Sequence, residues 1–292
     1  MSADAGRDDF IVRTLKGEIE KDQVIVIKTG QPLTSEHLEV FSKEAPLQLA
    51  MGMGASEALM QTLLSDNPSW INLTEKMGPP LFYALQDKEM SDGTLRLLID
   101  ADPSALKARD PHGGLPLHFA LVNGASEPVL LQLLSSYPEG AKTSTADGSL
   151  PLHIAAQKEN ASEAVVSKLL ELNPDAAKTK NADGSVPAEA CLSPNAEVPP
   201  LAVFNMVLAA NPDAAKSADK DGFFMLHYAA MKGVPREHAA LLIETFPDAQ
   251  TAGNVQGKIP LDFALHFKHK HLVPLLQPPG GRRSRAKKCV IS

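Results

Sequence analysis

Two sets of prolines recurring in step constrain this chain more than any other feature. Pro46, Pro80, Pro116, Pro151, Pro187 and Pro260 stand 34 to 38 residues apart once Met225 takes the vacant slot. Pro68, Pro103, Pro138, Pro174, Pro212 and Pro247 follow at 35 to 38 residues, and both sets lengthen to 38 at the same place. Two landmarks that drift together mark internal repeats, each one a supersecondary unit that buries its apolar face against its neighbours. A chain of 292 residues holds about seven such units. Aromatics make up only 5% of it, so the interior must be filled by Leu, Val, Ile and Ala, which suits thin helical layers.

Each unit repeats one order of signals. A turn comes first, as in Asp147-Gly148, Asp183-Gly184 and Asp221-Gly222, where glycine takes a positive φ at little cost. The anchor proline then opens a short helix, a position where its missing N–H has no partner to lose. A second helix begins at Ser56-Glu57, Ser91-Asp92, Ser126-Glu127 or Ser162-Glu163. The serine is expected to cap free N–H groups, and the acid to suit the helix dipole. Late apolar pairs follow, such as Leu98-Ile99 and Leu133-Leu134, and the second proline ends the helix by pushing its predecessor out of helical geometry.

Leu115-Pro116-Leu117-His118-Phe119-Ala120, Leu150-Pro151-Leu152-His153-Ile154-Ala155-Ala156 and Met225-Leu226-His227-Tyr228-Ala229-Ala230 resemble the signature of ankyrin repeats. The resemblance spans residues 44–277 and implies an all-α, ankyrin-like helical repeat solenoid of about seven units that binds another protein. Three departures stand out: Leu115, Leu150, Val186 or Ile259 where the family usually has threonine, a period near 35, and Pro-Asp-Ala-type segments after the second helix. The unit opening at Pro187 is degenerate. Glu189 stands where histidine is expected, and the proline-rich stretch at 193–200 is expected to bulge or flex. Residues 1–43 do not fit the period and are read as an N-terminal cap, with a short strand at Val24-Ile25-Val26-Ile27 and a helix over 34–41. Residues 278–292 are read as a flexible tail.

The net charge of −7 is unevenly spread: Arg282, Arg283, Arg285, Lys287 and Lys288 carry five positive charges, leaving −12 for the remainder. An acidic body argues against nucleic acid as a partner. The acidic N-terminus has no secretory h-region, and no stretch reaches the roughly 18 apolar residues of a membrane span. Two cysteines, Cys191 and Cys289, fit a reducing cytosol, where the sequons at Asn72 and Asn160 go unused. No cofactor, metal or catalytic constellation is expected. His118, His153 and His227 read as hydrogen-bonding residues of the repeat. His266, His269 and His271 are interleaved with lysines that oppose a cation. Gly52-Met53-Gly54-Ala55-Ser56 lacks the Lys-Ser/Thr of a phosphate loop. Cys191, with no base beside it, reads as buried and structural.

The surface expected to meet a protein partner is the row of turn tips Thr143, Thr145, Thr179, Asn181, Ser217, Asp219, Lys220 and Asn254, on a chain expected to be a monomer. The chain ends Cys289-Val290-Ile291-Ser292, which resembles a prenylation box. A final serine implies farnesyl, with Val290, Ile291 and Ser292 then removed and the new carboxylate methylated. One lipid holds weakly, and the five basic residues supply the second signal at an anionic leaflet. This places the protein on the cytosolic face of a membrane, with Ser284 a candidate phosphorylation site that would weaken the hold. The alternative is a soluble or nuclear adaptor whose basic tail is a nuclear-localisation patch.

Overall fold

The computed structural model describes residues 45–73 and 78–278, and among these it holds fifteen α-helices and no strand. The proposed N-terminal cap, the tail and the prenylation box lie outside the described residues. By packing, the chain divides into two compact units, residues 1–140 and 141–292. The proline register gives no sign of this division.

Unit 1 contains three helix pairs: α1 (Pro46–Gly52) with α2 (Glu57–Asp66), α3 (Pro80–Gln86) with α4 (Asp92–Ala101), and α5 (Pro116–Asn123) with α6 (Glu127–Ser136). The first helices pack on one another, α1 on α3 on α5, and the second helices do likewise, α2 on α4 on α6. The anchor prolines occupy the first helical turn throughout. Ser56 and Ser91 cap as expected, their hydroxyls accepting from the N–H of Leu59 and Thr94, both at 3.1 Å. Ser126 does not cap. Pro128 removes one of the two N–H groups a cap can serve, and the Ser126 hydroxyl donates instead to Asp92 Oδ2 at 2.6 Å. The Gly52–Ser56 stretch is the turn between α1 and α2.

Unit 2 contains α7 (Pro151–Ala155) with α8 (Glu163–Leu172), α9 (Pro187–Ala190) with α10 (Leu201–Ala210), the single-turn α11 (Asp213–Lys216), α12 (Met225–Lys232) with α13 (Arg236–Thr245), and α14 (Pro260–His266) with α15 (Val273–Leu276). Each second helix runs into a tight turn at its proline, Pro174–Lys178 or Pro247–Gln250, or into α11 after Pro212. Asn173 and Asn211, immediately before two of these prolines, donate their amides back to the Ala141 and Ala177 carbonyls at 3.2 and 2.9 Å. The Asn-Pro pair therefore ends one helix and staples the turn to its predecessor.

The residues standing where the family prefers threonine, Leu150, Val186, Phe224 and Ile259, are buried. They add apolar contact to the core in exchange for a hydroxyl, which suits a chain poor in aromatics. The stretch at 193–200 is held on both sides, contrary to the expectation that it flexes. Its Glu197 N–H donates to the Gln157 carbonyl at 2.9 Å, and the Glu197 carboxylate accepts from the Glu159 N–H at 3.1 Å. From the next pair, Lys232 Nζ donates to the Ser193 and Ala196 carbonyls at 2.7 and 2.6 Å, and His238 Nε2 reaches the Pro199 carbonyl at 2.9 Å. Charged donors of this kind bond more strongly than neutral ones. Burial lowers the pKa of the Lys232 ammonium by taking the charged form out of water.

Candidate protein-binding surface

The geometry of the repeat is set where the hairpin turn meets the first helix. In five successive turns one residue closes the loop on itself: Asp110 in unit 1, and Thr145, Asn181, Asp219 and Asn254 in unit 2. Its N–H donates to the carbonyl four residues on, and its carbonyl accepts from the glycine three residues on, all within 2.8–3.1 Å. Those glycines have φ between 74° and 80°. Side chains add to this. Asp219 Oδ1 accepts from the N–H of Asp221 and Phe223 at 2.9 and 2.8 Å, and Asn254 Oδ1 accepts from Gln256 and Lys258 at 3.0 and 2.9 Å. Asn181 accepts from Ser185 at 3.0 Å. The Thr145 hydroxyl bonds Asp147 and the Ser149 carbonyl. Hydrogen bonds from Thr145 and Ser149 hold the Asp147 carboxyl below its usual range.

These turns bear on the expected partner surface. Of its eight residues, Thr145, Asn181, Asp219 and Asn254 are the loop closers. Thr179 and Ser217 are exposed, but their hydroxyls bond back to the Asp175 and Asp213 carbonyls at 3.0 and 2.9 Å. Lys220 is exposed and Thr143 half-buried. Asn254 is only 5% exposed, so it does not offer its side chain to a partner. Oxygen-bearing side chains were favoured here because a turn of this geometry leaves backbone N–H groups to satisfy. The sequence carried that signal: the five closers recur in step with the prolines, each three residues before a glycine.

Neighbouring turns within unit 2 join through single backbone bonds, Ala182 N–H to the Asp147 carbonyl at 2.8 Å and Val255 N–H to the Asp221 carbonyl at 3.0 Å. Glycine permits this approach. A Cβ on Gly222 would meet the backbone of Asn254 and Val255 at 3.1 Å, whereas one on Gly184 would meet nothing.

The repeat histidines bond in two directions. His118, His153 and His227 accept at Nδ1 from the N–H of Leu115, Leu150 and Phe224 at 3.0, 3.1 and 3.1 Å. That acceptance puts the proton of His153 and His227 on Nε2, which donates to the Ser185 and Lys258 carbonyls of the next turn at 3.2 and 3.1 Å. Burial lowers both pKa values, against weaker opposing hydrogen bonds. Glu189 and Asp262 fill the same slot with a carboxylate, accepting from Val186 and Ile259 at 3.0 and 3.1 Å. Position 189 is therefore a working substitute for histidine on its near side, but it carries no donor for the next turn.

The side chains left half-buried on the first helices are not those the sequence pointed to. Three residues beyond five of the seven anchors stand Tyr83 and Phe119 in unit 1, and Ile154, Tyr228 and Phe263 in unit 2, all half-buried beside buried alanines, whereas Leu49 and Ala190 at the same offset from Pro46 and Pro187 are buried. Phe119 packs edge-on to Phe82. Around Tyr228 the rings of Phe223, Phe263 and His227 cluster at centroid distances of 5.3–5.8 Å. The Tyr228 phenol donates to Asp219 Oδ2, and burial, that bond and the charges of Asp219, Asp221 and Glu189 push its pKa up. An aromatic patch ringed by three carboxylates fits a partner segment bearing apolar and basic side chains. The signal in the sequence was the fixed offset from the proline.

Cys191 is buried, bonds the Pro187 carbonyl, and burial pushes its thiol up to about 12. His269 and His271 direct Nε2 to the Met231 and Val234 carbonyls, both at 3.0 Å. Among the described residues no three His, Cys, Asp or Glu side chains are grouped to hold a metal ion, and no helix is long and apolar enough to cross a membrane.

No family model and no curated protein matches this chain. Solved structures do match. The ankyrin repeat domain of Bcl-3, a member of the IkappaB protein family, aligns with a TM-score of 0.54 at 22% identity over 77% of this chain and 97% of that one. A chain from the complex of the predatory endopeptidase Bd0816 of Bdellovibrio bacteriovorus with immunity protein Bd3460 aligns with a TM-score of 0.51 at 21% identity, over 67% of this chain and 95% of that one. At these identities the likeness is one of fold, and that fold is the ankyrin repeat.

Proposed function

We propose that this protein is a non-enzymatic protein-binding adaptor, farnesylated at Cys289 and held by that lipid at the cytosolic face of a membrane. The observation that carries the binding half is the division of labour within the repeat. Turn side chains are occupied in closing the turns, while Tyr83, Phe119, Ile154, Tyr228 and Phe263 keep apolar and aromatic surface half-open on a rigid support. Aromatic residues of that kind are the usual anchors of protein interfaces. Thr179, Ser217 and Lys220 would form the polar rim.

The anchoring half rests on Cys289-Val290-Ile291-Ser292 together with Arg282, Arg283, Arg285, Lys287 and Lys288. A single isoprenoid binds reversibly, and each basic residue near an anionic leaflet adds up to about 1 kcal/mol. Phosphorylation of Ser284 would subtract about two charges and weaken the hold. Metabolic labelling with a farnesyl analogue tests this, with Cys289→Ser as control. Label on the wild type and none on the variant is the expected result. Absence of label on the wild type, with the protein accumulating in the nucleus, would favour instead the reading of the basic cluster as a localisation signal.

A further inference from the structure

Positive charge does not begin at the tail. Asp262 is the last acidic residue of the chain, and the thirty residues from Phe263 onward contain none. Within that stretch the described structure places an unusual turn, residues 265–270. Leu265 and Phe267 are 46% and 47% exposed, and His266, Lys268 and Lys270 beside them are exposed too. Lys268 is the one non-glycine with a positive φ among the described residues, at 63°. The turn is firmly held. Phe267 stacks on the His269 ring at 6.3 Å, and His269 and His271 tie it to the Met231 and Val234 carbonyls of the preceding helix pair. The other large exposed apolar side chains of unit 2, Leu201 and Val255, stand singly and elsewhere in the sequence.

Two exposed apolar side chains followed by lysines, in a stretch of chain with no acid after Asp262, are what an interfacial contact requires: apolar groups enter the acyl boundary while ammonium groups stay with anionic headgroups. We infer that the turn at residues 265–270 is a second contact with an anionic lipid surface, seating the last helix pair against the bilayer. The inference rests on the membrane-tethered reading. The eleven residues that follow Pro278 and end at Cys289 span at most about 40 Å, ample for a lipid on Cys289 and the ring of Phe267 to share one leaflet. The turn would then fix an orientation that the lipid alone does not set.

The test uses the full chain, farnesylated at Cys289, with Phe267→Cys carrying a polarity-sensitive dye; Cys191 is buried and does not compete for the label. Phosphatidylserine-containing vesicles should shift the emission to the blue, pure phosphatidylcholine vesicles should do so much less, and dye on Asn160→Cys should stay unchanged. Leu265→Ser with Phe267→Ser should weaken partition by about tenfold without changing thermal stability by more than a few degrees. A silent dye at position 267 on protein that nonetheless sediments with vesicles would overturn the inference and leave the anchor standing. If instead the chain takes no isoprenoid, the anchor reading fails, and the Cys289→Ser form decides the matter alone: a shift with anionic vesicles upholds the contact, and no shift ends it. A response to an acidic polypeptide and not to vesicles would assign the turn to a protein partner and likewise overturn the lipid assignment.

Discussion

Two surfaces of unit 2 lie a few residues apart and do opposite things with their side chains. The turns at Thr145, Asn181, Asp219 and Asn254 are polar and look available, yet the Asn181, Asp219 and Asn254 oxygens accept from backbone N–H groups of the same loop and the Thr145 hydroxyl donates to the Ser149 carbonyl. The first-helix positions Ile154, Tyr228 and Phe263 are apolar and look like core, yet they stay half-open. Polarity in the sequence therefore misleads about accessibility in both directions. A tight turn creates its own demand for acceptors, whereas a short helix stacked on others has one flank that nothing in its own unit covers. Substitutions in the turns should cost stability, and substitutions on the first helices should cost binding.

The largest stability effect should come from the junction of the two surfaces. His227→Ala removes bonds to the Phe224 N–H and the Lys258 carbonyl, leaving the buried Phe224 N–H unpaired and the Lys258 carbonyl with only its bond from the Asn254 N–H, a loss of about 2–4 kcal/mol in urea unfolding. Glu189→Ala removes one such bond and should cost about 1–2 kcal/mol; equal losses would break the argument that the forward bond matters. Asp219→Ala should cost about 2 kcal/mol, while Asp219→Asn, the residue type already present at 181 and 254, should recover most of it. Smaller again, Gly222→Ala and Gly184→Ala share the same left-handed backbone but differ in what a Cβ would meet. Both should lose about 1 kcal/mol from strain, and Gly222 somewhat more from contact with Asn254.

The gentlest probe is acidity. Burial holds His153 and His227 below the ordinary histidine value of 6.5, so the folded chain keeps them neutral while the unfolded chain takes up protons first. The stability they confer is fully present above about pH 6.5 and is lost as pH falls from there toward their folded values. Urea midpoints should be flat from pH 8 to 7 and decline below 6.5. A midpoint that rises on acidification would contradict the neutral, Nε2-protonated assignment.

Much of the fold could be read from the residues. The prolines located both helices of five of the seven pairs, and Ser56, Ser91 and Ser162 cap where they were expected to. Ser126 does not cap: its hydroxyl donates to Asp92 Oδ2, a partner 34 residues away that the local pattern cannot show. The ordering of residues 193–200 was not legible. Proline-rich composition says how a segment cannot fold, whereas its anchors come from Gln157, Lys232 and His238, each more than thirty residues away. The half-buried first-helix positions are marked in the sequence by an offset of three from five of the seven anchors, but their half-burial depends on stacking that only coordinates give. The lipid box lies outside the described residues and stands on its sequence alone.

The most direct test of the account is site-specific photo-crosslinking in cells. A photoreactive side chain at Tyr228 or Phe263 should capture a discrete protein partner, and the same group at Asn254 should not. Capture from Asn254 but from neither first-helix position would contradict the division of labour on which the functional reading depends.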